Sequence, residues 1–548
     1  MAPAVSDLRS FLQPLRIDGE TLYDLSYRLS VLYRKLAASP KDFFPTPITR
    51  LPTGQETGRY LAVYVGLSYL RVAFIDLVAG QRAARRTIEK AWPIEEHLRR
   101  DRASDLFSWI GDCVAEVVAD SLANPHDVMP RELITGFSFC FPIKQNSVEE
   151  AILIPTGKGF ALKSDLNLHQ ALLDGYERHT WCPGADHERN PGKRRKMFSL
   201  PRLKIAVMTN DTVAALASLA YGIRALPNTR AVMGLIVGAG SNATVPMKLT
   251  DLHESKTHHI RAKDPGAGSP LVSTEWTLAN ASGPLDELNL RTRWDKEVDA
   301  NSGRPGFQPF ETMIGGRYLG ELVRRIACDW FHGVLGVPRS DLPHALVTEY
   351  ALTTDFLSLT VAATRSDDLL AGALSLGLPV PPASKWQWTV DSARDLQTIA
   401  RVVQERASAL VAAATIGLLA CTREIHLRRP GDSDPSPILD AVTETPTVLP
   451  DGGVGGPEEL AVAVTGGVIQ HYPRYQETIQ RYIDQLLLRA GPQPGGRSVF
   501  LRDASDGGLI GTGVLAAGTA TGEIGGIIGS AFDILPTRMP SYETGPFP

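Results

Sequence analysis

Three predicted β-strands of this sequence end in a turn of glycine or small polar residues, and this arrangement limits the possible folds most. The turns are Gly66-Leu67-Ser68, Thr209-Asn210-Asp211-Thr212 and Gly238-Ala239-Gly240. An apolar run typical of a strand precedes each turn, and apolar residues at helical spacing follow the second one. Strands that alternate with helices in this way predict an α/β fold.

Hydrophobic periodicity supplies the elements around these turns. A helical pattern covers 8–36 and another covers 106–122. Two β-rich runs flank the first turn within 60–76 and predict a hairpin, and a further strand is predicted for 133–141. The first turn is therefore expected inside a hairpin, whereas the second stands at the start of a helix.

Each turn has a chemical and a purely structural interpretation. Backbone N–H groups of a glycine-rich turn can approach a phosphate closely, and a carboxylate at a strand end, such as Asp211, can act as a general base. Asp211 can equally cap the helix that follows it, and 238–240 can be an ordinary tight turn. One turn taken alone leaves both interpretations open.

Composition excludes several classes of protein. With 43% hydrophobic and 21% charged residues, the 548-residue chain is neither wholly disordered nor fibrous. Its net charge of -4 argues against direct nucleic-acid binding. The five cysteines are far apart and contain no CxxC pair, so we expect neither a disulfide framework nor a metal site. Because no unbroken apolar run reaches about 18 residues, we expect no membrane span.

Taken in order with further motifs, the three turns resemble the eukaryotic hexokinase family over residues 8–520. The motifs are Leu51-Pro-Thr-Gly-Gln-Glu-Thr-Gly58, Gly136-Phe-Ser-Phe-Cys-Phe-Pro142, Thr156-Gly-Lys-Gly-Phe160, Asn210-Asp-Thr212, Thr274-Glu-Trp276, Arg304-Pro-Gly-Phe-Gln-Pro-Phe-Glu-Thr-Met313 and Tyr318-Leu-Gly-Glu-Leu322. The resemblance implies an α/β fold with two lobes of the actin-like ATPase (hexokinase) type and a sugar cleft between them.

The resemblance also implies a division of the chain. An N-terminal helical segment covers 1–55, a small lobe covers 56–211 and a large lobe covers 212–520. Three polar segments stand apart from the lobes' cores, namely a basic insertion at 176–200, an insertion at 428–459 that we expect to be mobile, and a tail at 530–548. None of them can bury enough apolar surface to offset its own ordering entropy.

On the sugar side, the resemblance implies that residues from several motifs hold a hexose such as glucose. They are Cys140, Lys158, Asn210, Asp211, Asn242, Glu275 and Glu311. Three carboxylates, two amides and a lysine supply the donors and acceptors that a polyol needs. Asp211 stands at the catalytic base position, which takes the proton from the 6-hydroxyl, and Cys140 replaces the family's usual serine.

On the nucleotide side, the chain departs from the family pattern. Tyr64 stands where the family has an Asp that organises Mg²⁺, Leu67 replaces a turn glycine, and Ala239 replaces a threonine. The degenerate phosphate-binding positions are Tyr64, Gly66, Leu67, Ser68, Gly238, Ala239, Gly240, Asp506 and Gly507. Phosphoryl transfer depends on positioning and electrostatics, so these changes predict slow transfer from Mg-ATP.

The basic run Lys193-Arg194-Arg195-Lys196 lies in the first insertion. It predicts either a nuclear-import signal or a solvated loop. We expect a nuclear pool, with the cytoplasm as the alternative location.

These features predict an atypical, regulatory hexokinase-like protein of the fungal kind, which senses a sugar and has little or no kinase activity. The fungal attribution rests on the insertions and the degenerate hairpin. One alternative is a functional hexokinase that uses Mg-ATP, because Asp211 is retained. A second is a partner-binding protein whose cleft is vestigial. A hexose is the expected ligand, and the sequence identifies no protein partner.

Overall fold

A computed structural model of the chain describes residues 7–79, 83–100, 102–122, 130–154, 166–180, 200–224, 226–430, 457–504 and 506–522. The strands are β1 (Phe44–Pro45), β2 (Gly58–Val65), β3 (Tyr69–Leu77), β4 (Arg85–Pro93), β5 (Glu132–Phe139), β6 (Ile143–Lys144), β7 (Ile152–Leu153), β8 (Arg202–Asn210), β9 (Thr229–Val237), β10 (Ser241–Pro246), β11 (Leu271–Ser273), β12 (Glu459–Thr465) and β13 (Ser498–Asp503). The helices are α1 (Leu8–Phe11), α2 (Gly19–Ala37), α3 (Glu96–Arg100), α4 (Ala103–Ser121), α5 (Leu168–Glu177), α6 (Asp211–Ile223), α7 (Glu254–Lys263), α8 (Gly283–Glu287), α9 (Arg293–Ala300), α10 (Glu311–Ile314), α11 (Gly316–Cys328), α12 (His344–Val347), α13 (Thr354–Phe356), α14 (Asp367–Gly377), α15 (Val390–Cys421), α16 (Gly467–His471), α17 (Tyr475–Ala490) and α18 (Gly507–Ala520).

The two large sheets of the protein share one strand arrangement. The first has the order β4-β3-β2-β5-β8, and the second has the order β1-β11-β10-β9-β12-β13. In each sheet an antiparallel meander of three strands is followed by two strands parallel to its first strand: β5 and β8 follow β2, and β12 and β13 follow β9. Each lobe is therefore built around a mixed sheet in which the antiparallel and parallel strands follow the same order, with β1 as an extra edge strand in the second.

Helices α6 and α18 pack against each other between the two sheets. Glycines allow this close contact, because a Cβ atom on Gly511 of α18 would collide with the Ala214 carbonyl group of α6. Helix α6 also lies close to β9, where a Cβ atom on Gly234 would collide with the Thr212 carbonyl oxygen. Apolar residues of both sheets and both helices form one buried cluster here. This cluster holds the start of α6 at the junction of the lobes.

Each lobe also has a core of its own. Helices α4 and α5 pack together beside the first sheet, where Phe107, Phe137 and Phe139 are buried. In the second lobe, α15 packs against α2, α11, α14 and α17. The amphipathic pattern predicted for 8–36 thus buries its apolar side in the core of the second lobe.

Helix α15 is the one helix in the described part of the chain that is long and apolar enough to cross a membrane. Its most apolar 18-residue window is 94% buried inside the protein. Polar residues interrupt its apolar stretches, so this helix contains no unbroken apolar run of about 18 residues. Packing within the core accounts for its composition without a bilayer.

The predicted elements around the three turns are confirmed. The hairpin is β2 and β3, the predicted strand at 133–141 is β5, and the second turn lies between β8 and α6. The division of the chain stays a prediction, but α18 packs on β2, β3, β5 and β8 of the first sheet, although 507–520 was assigned to the second lobe. Residues 181–199, 431–456 and 523–548 lie outside the described residues, with most of both predicted insertions and the whole tail.

A buried ion pair joins α9 to α15 in the second lobe. The Arg406 guanidinium donates to Asp295 Oδ1 at 2.9 Å and to Asp295 Oδ2 at 2.7 Å, and both side chains are at most 2% exposed. Asp295 also accepts hydrogen bonds from the backbone N–H and hydroxyl of Thr292, which close the N-terminus of α9. The pair therefore fixes a helix end as well as a helix contact.

Replacing Asp295 with Ala should lower the free energy of unfolding by about 3–5 kcal/mol, because it leaves the Arg406 charge buried without its partner. Chemical denaturation would measure the change. The matched control is Asp391→Ala, which removes an exposed partner of Arg394 and should cost less than about 1 kcal/mol. Equal effects of the two substitutions would contradict the importance of the buried pair.

Candidate functional site

A cleft of about 1120 Å³ opens between the two lobes. Most residues that the sequence predicts for the site line it, and these are Tyr64, Gly66, Leu67, Ser68, Cys140, Asn210, Asp211, Gly238, Ala239, Gly240, Asn242, Glu275 and Glu311. Segments more than 200 residues apart in the chain thus meet in one cavity. Predicted sugar-binding and phosphate-binding residues share it.

The second turn places a carboxylate at the start of α6. Asn210 is the N-cap, and its Oδ1 accepts hydrogen bonds from the Val213 N–H at 2.9 Å and from the Thr212 hydroxyl at 3.1 Å. Asp211 is the first helical residue and is only 6% exposed. The positive end of the helix dipole favours an ionised carboxylate at this position. The capping function therefore falls to Asn210, and the Asp211 side chain lines the cleft.

Asn242 and Ser273 of the second sheet, and Glu275 just after β11, form a buried polar cluster beside this helix start. Asn242 Nδ2 donates to Glu275 Oε1 at 2.6 Å and to Ser273 Oγ at 3.0 Å, while its Oδ1 accepts from the Glu275 N–H at 3.0 Å. Ser273 Oγ donates to Glu275 Oε1 at 3.0 Å and accepts from Asn210 Nδ2 at 2.8 Å. Glu275 has a left-handed backbone with φ 46°. The cluster orders these side chains before any ligand arrives.

Glu311 completes the polar wall from the other side of the third turn. Its Oε2 accepts a hydrogen bond from the Ser241 N–H at 3.1 Å, and it is 3% exposed. A Cβ atom on Gly240 would lie 2.7 Å from this oxygen. Glycine at position 240 is therefore needed for the carboxylate to reach its place, which gives a physical reason for that part of the motif.

The third turn is held by the start of α11. The N–H groups of Gly316 and Arg317 donate to the carbonyl oxygens of Gly238 at 2.8 Å and Ala239 at 3.0 Å. Gly466, which also lines the cleft, has φ 114°, and a Cβ atom there would lie 2.6 Å from the Val237 carbonyl carbon. The turn is thus compact and closely surrounded by backbone, even though Ala239 replaces a hydroxyl residue of the family.

Tyr64 lines the end of the cleft beside the first turn. A Cβ atom on Gly66 would lie 3.2 Å from Tyr64 Cε1, and one on Gly508 would lie 2.8 Å from Tyr64 Cδ2, so the ring lies between the hairpin turn and the start of α18. Burial raises the pKa of the Tyr64 hydroxyl well above its ordinary value, and the Asp211 carboxylate raises it further. A neutral phenol therefore occupies the position at which the family has a carboxylate.

Two predicted phosphate-binding residues are placed differently. Asp506 accepts from Arg71 at 2.9 Å and pairs with Arg86 at 3.1 Å, so two arginines of the first sheet engage its carboxylate. Gly507 lies against Ala215 of α6. Neither is among the described residues that line the cleft. Ion pairing and helix packing describe the surroundings of these two residues, and a phosphate-binding role for them stays a prediction.

The fit of the site to magnesium is poor at the first turn. Tyr64, Leu67 and Ser68 offer no carboxylate there, and oxygen ligands with charge are what Mg²⁺ takes from proteins. Within the described ranges, no group of three or more His, Cys, Asp or Glu residues could hold a metal ion.

Some predictions fall outside the described residues, and some cleft residues were missed. Lys158 and the run 193–196 belong to the first group. The second group is Ser273, Gln308, Arg317 and Tyr350, which lie in or next to the cleft. Gln308 lies inside the motif at 304–313, so the sequence could have indicated it. In the structure its amide donates to the Thr277 hydroxyl at 3.2 Å and lines the cleft.

Comparison with protein-family models identifies the family of this chain. Two family models, both described as Hexokinase, match residues 7–221 and 232–518. This chain belongs to the hexokinase family. The family membership that the motifs indicated is therefore confirmed.

Individual hexokinases are distant relatives. The chain is 25% identical over 479 residues to Hexokinase-7 of Oryza sativa subsp. japonica, and the match covers 86% of each protein. It is 29% identical over 354 residues to Hexokinase-2 of Rattus norvegicus, which covers 63% of this chain and 34% of the rat protein. The matched part thus amounts to about a third of the length of that rat relative.

A solved structure confirms the predicted fold class. The structure titled hexokinase from Schistosoma mansoni complexed with glucose matches with a TM-score of 0.69 at 23% identity, over 93% of this chain and 98% of that one. The two-lobed, actin-like hexokinase fold is therefore the fold of this protein.

Replacing Asn242 with Ala should lower the free energy of unfolding by about 1–3 kcal/mol, because the buried Glu275 carboxylate and N–H lose a partner. Thermal or chemical denaturation would measure it. Asn280→Ala is the control, since Asn280 makes a single exposed hydrogen bond to Asp42 and should change stability by less than about 0.5 kcal/mol. A neutral Asn242→Ala would show that the cluster adds no stability.

Proposed function

We propose that this hexokinase-family protein binds a hexose in its cleft and acts as a sugar-sensing regulator with little or no hexose kinase activity. The observation that carries the proposal is the contrast between the two ends of the cleft. The sugar end keeps a buried, hydrogen-bonded polar wall, whereas a neutral Tyr64 stands in the phosphate end. The proposal places the protein among atypical, regulatory members of the family, of the fungal kind.

The polar wall supports hexose binding. Asn210, Asp211, Asn242, Glu275 and Glu311 converge on one part of the cleft, and four of them make the hydrogen bonds described above. A sugar has several hydroxyl groups that each donate and accept, so fixed carboxylates and amides suit it. The related structure from Schistosoma mansoni is titled as a complex with glucose, which favours glucose as the first hexose to examine.

The phosphate end supports weak phosphoryl transfer. Asp211 is positioned to take a proton from a sugar hydroxyl, as the family resemblance implies, and a general base contributes one part of the rate. The remaining part depends on electrostatic stabilisation of the transferred group. Tyr64 has a bulky ring and a neutral hydroxyl in place of a carboxylate. Leu67 adds a side chain at a turn position where the family has a glycine.

Sensing requires that sugar binding changes a surface of the protein or the equilibrium between the open and closed arrangements of its lobes. The cleft residues come from both lobes, with Asp211 at the packed junction and Glu275 and Glu311 from the second lobe. A ligand that bridges them favours the closed arrangement of the lobes by its extra contacts in that state. Closure on the sugar is the proposed signal, and protein partners would read it.

An active hexokinase that uses Mg-ATP is the second candidate. The retained Asp211 at a helix start favours it. A partner-binding protein with a vestigial cleft is the third, and the ordered polar cluster argues against it. Calorimetry with glucose and, separately, with Mg-ATP distinguishes the three: glucose alone selects the sensor, both ligands select the kinase, and neither selects the vestigial cleft.

Glucose at about 100 times its dissociation constant should stabilise the protein by about 2.7 kcal/mol, because it binds the folded state only. We expect the melting temperature to rise by on the order of 3 °C. Glu311→Gln should abolish most of the rise, while Glu297→Gln, at an exposed site on α9, should leave it unchanged. A melting temperature that does not respond to millimolar glucose would remove the basis of the proposal.

The purified protein should turn over hexose far more slowly than about 10 s⁻¹, an ordinary value for enzymes. Tyr64→Asp combined with Leu67→Gly should raise kcat about tenfold or more, because it restores a carboxylate and a turn glycine. Tyr69→Asp adds a carboxylate to the same hairpin at a residue that is 56% exposed and should have no such effect. A coupled assay measures all three, and ordinary turnover of the unmodified chain would establish the kinase instead.

A nuclear pool belongs to the same proposal, with import driven by Lys193-Arg194-Arg195-Lys196. A fluorescent fusion should lose nuclear signal when all four residues become Ala, and substitutions of this kind cost little stability. Identical distributions of the two fusions would show that the run is not an import signal and would remove the sequence support for a nuclear pool.

A further inference from the structure

Helix α14 presents an apolar face to solvent. Leu369 and Leu376 are 69% and 86% exposed, and they are seven residues apart, which places them on the same side of a helix. Ala373 lies between them on that side, while Leu370 and Leu374 are buried against the core. We refer to Leu369, Ala373 and Leu376 as the α14 face.

The α14 face continues towards the cleft. The Phe356 ring lies against Gly377, since a Cβ atom there would be 2.5 Å from Phe356 Cε2, so the end of α13 meets the end of α14. One turn further along, Leu359 is 73% exposed and lines the mouth of the cleft. Large apolar side chains exposed on neighbouring segments are a feature of interaction sites.

The surface is fixed in place by polar contacts. Arg394 of α15 donates to Asp367 at 2.7 Å, at the start of α14. The Gln397 amide donates to the carbonyl oxygens of Val361 at 2.7 Å and Thr364 at 2.9 Å, which ties the segment after Leu359 to α15. A preformed surface lowers the entropic cost of binding a partner.

Acidic side chains lie near both ends of the α14 face, and we refer to them as its acidic rim. Asp355 precedes Phe356, Asp367 and Asp368 begin α14, and Asp391 lies beside them through its pair with Arg394. Against these four carboxylates stand Arg394 and Arg365. An apolar strip with an acidic rim complements a helix that has leucine-like residues on one side and lysine or arginine at its edges.

We propose that the α14 face is the docking surface for a basic amphipathic helix of a protein partner. Two copies of this chain would meet acidic rim to acidic rim in a symmetric dimer, because both contribute the same surface, and like charges would oppose the contact. The proposal does not depend on the hexose site, so sugar binding can fail while this surface still binds.

The test uses two fluorescein-labelled 18-residue peptides with identical leucine positions, one with lysine and one with glutamate on the polar side. Fluorescence anisotropy with the full chain, at physiological salt, should show that the lysine peptide binds at least tenfold more tightly than the glutamate peptide. Leu369→Glu with Leu376→Glu should weaken the lysine peptide at least tenfold. Because the new carboxylates attract lysine, such a loss isolates the apolar contribution.

The control is Leu488→Glu, at an exposed leucine of α17 that is 81% exposed, and it should bind as the unmodified chain does. Unchanged melting temperatures show that each variant is folded. Equal binding of the lysine peptide to the unmodified chain and to the double variant would overturn the proposal, and so would preference for the glutamate peptide. A dimer seen by sedimentation that the double variant abolishes would also overturn it, with a second copy as the occupant.

Discussion

The close contact of α6 with α18 and with β9 is the constraint on which the rest of the structure depends. Gly234 and Gly511 let backbone meet backbone there, and a side chain at either position would push α6 away. Since α6 begins at Asp211, any such displacement would move the carboxylate and its cap, Asn210, relative to both lobes. The geometry of the cleft is therefore set by packing contacts of the first turn of α6, at Thr212 and Ala214.

The two ends of the cleft differ in how their polar groups are satisfied. At the sugar end, Asn242, Ser273 and Glu275 hold each other, and this mutual pairing offsets the cost of burying a carboxylate. At the phosphate end, the buried phenol of Tyr64 needs no counter-charge, and the nearby Asp506 carboxylate is taken up by arginines of the first sheet. One end presents hydrogen-bonded carboxylates and amides, while the other presents a neutral phenol.

Sequence patterns predicted the local features well and the distant ones poorly. The hairpin around Gly66 and the turn before α6 follow from strand patterns and small polar residues, which act over a few positions. The ion pairs of Asp506 join it to Arg71 and Arg86, which are 435 and 420 positions away, and the packing of α18 on the first sheet brings Gly513 against Ile75. Such partners leave no periodic signal, so motif resemblance alone placed Asp506 in the site.

The matching order of the two sheets has a consequence for how this chain can diverge. Each sheet contributes one hairpin turn to the cleft, and the turn at 238–240 also lies against a sugar-side carboxylate, through Gly240 and Glu311. A substitution at Leu67 in the first turn leaves the Glu311 carboxylate undisturbed, whereas a side chain at position 240 would displace it. A requirement to keep Glu311 in place therefore constrains position 240, and the departures from the family pattern stand at other positions, Ala239 in the same turn and Leu67 in the first turn.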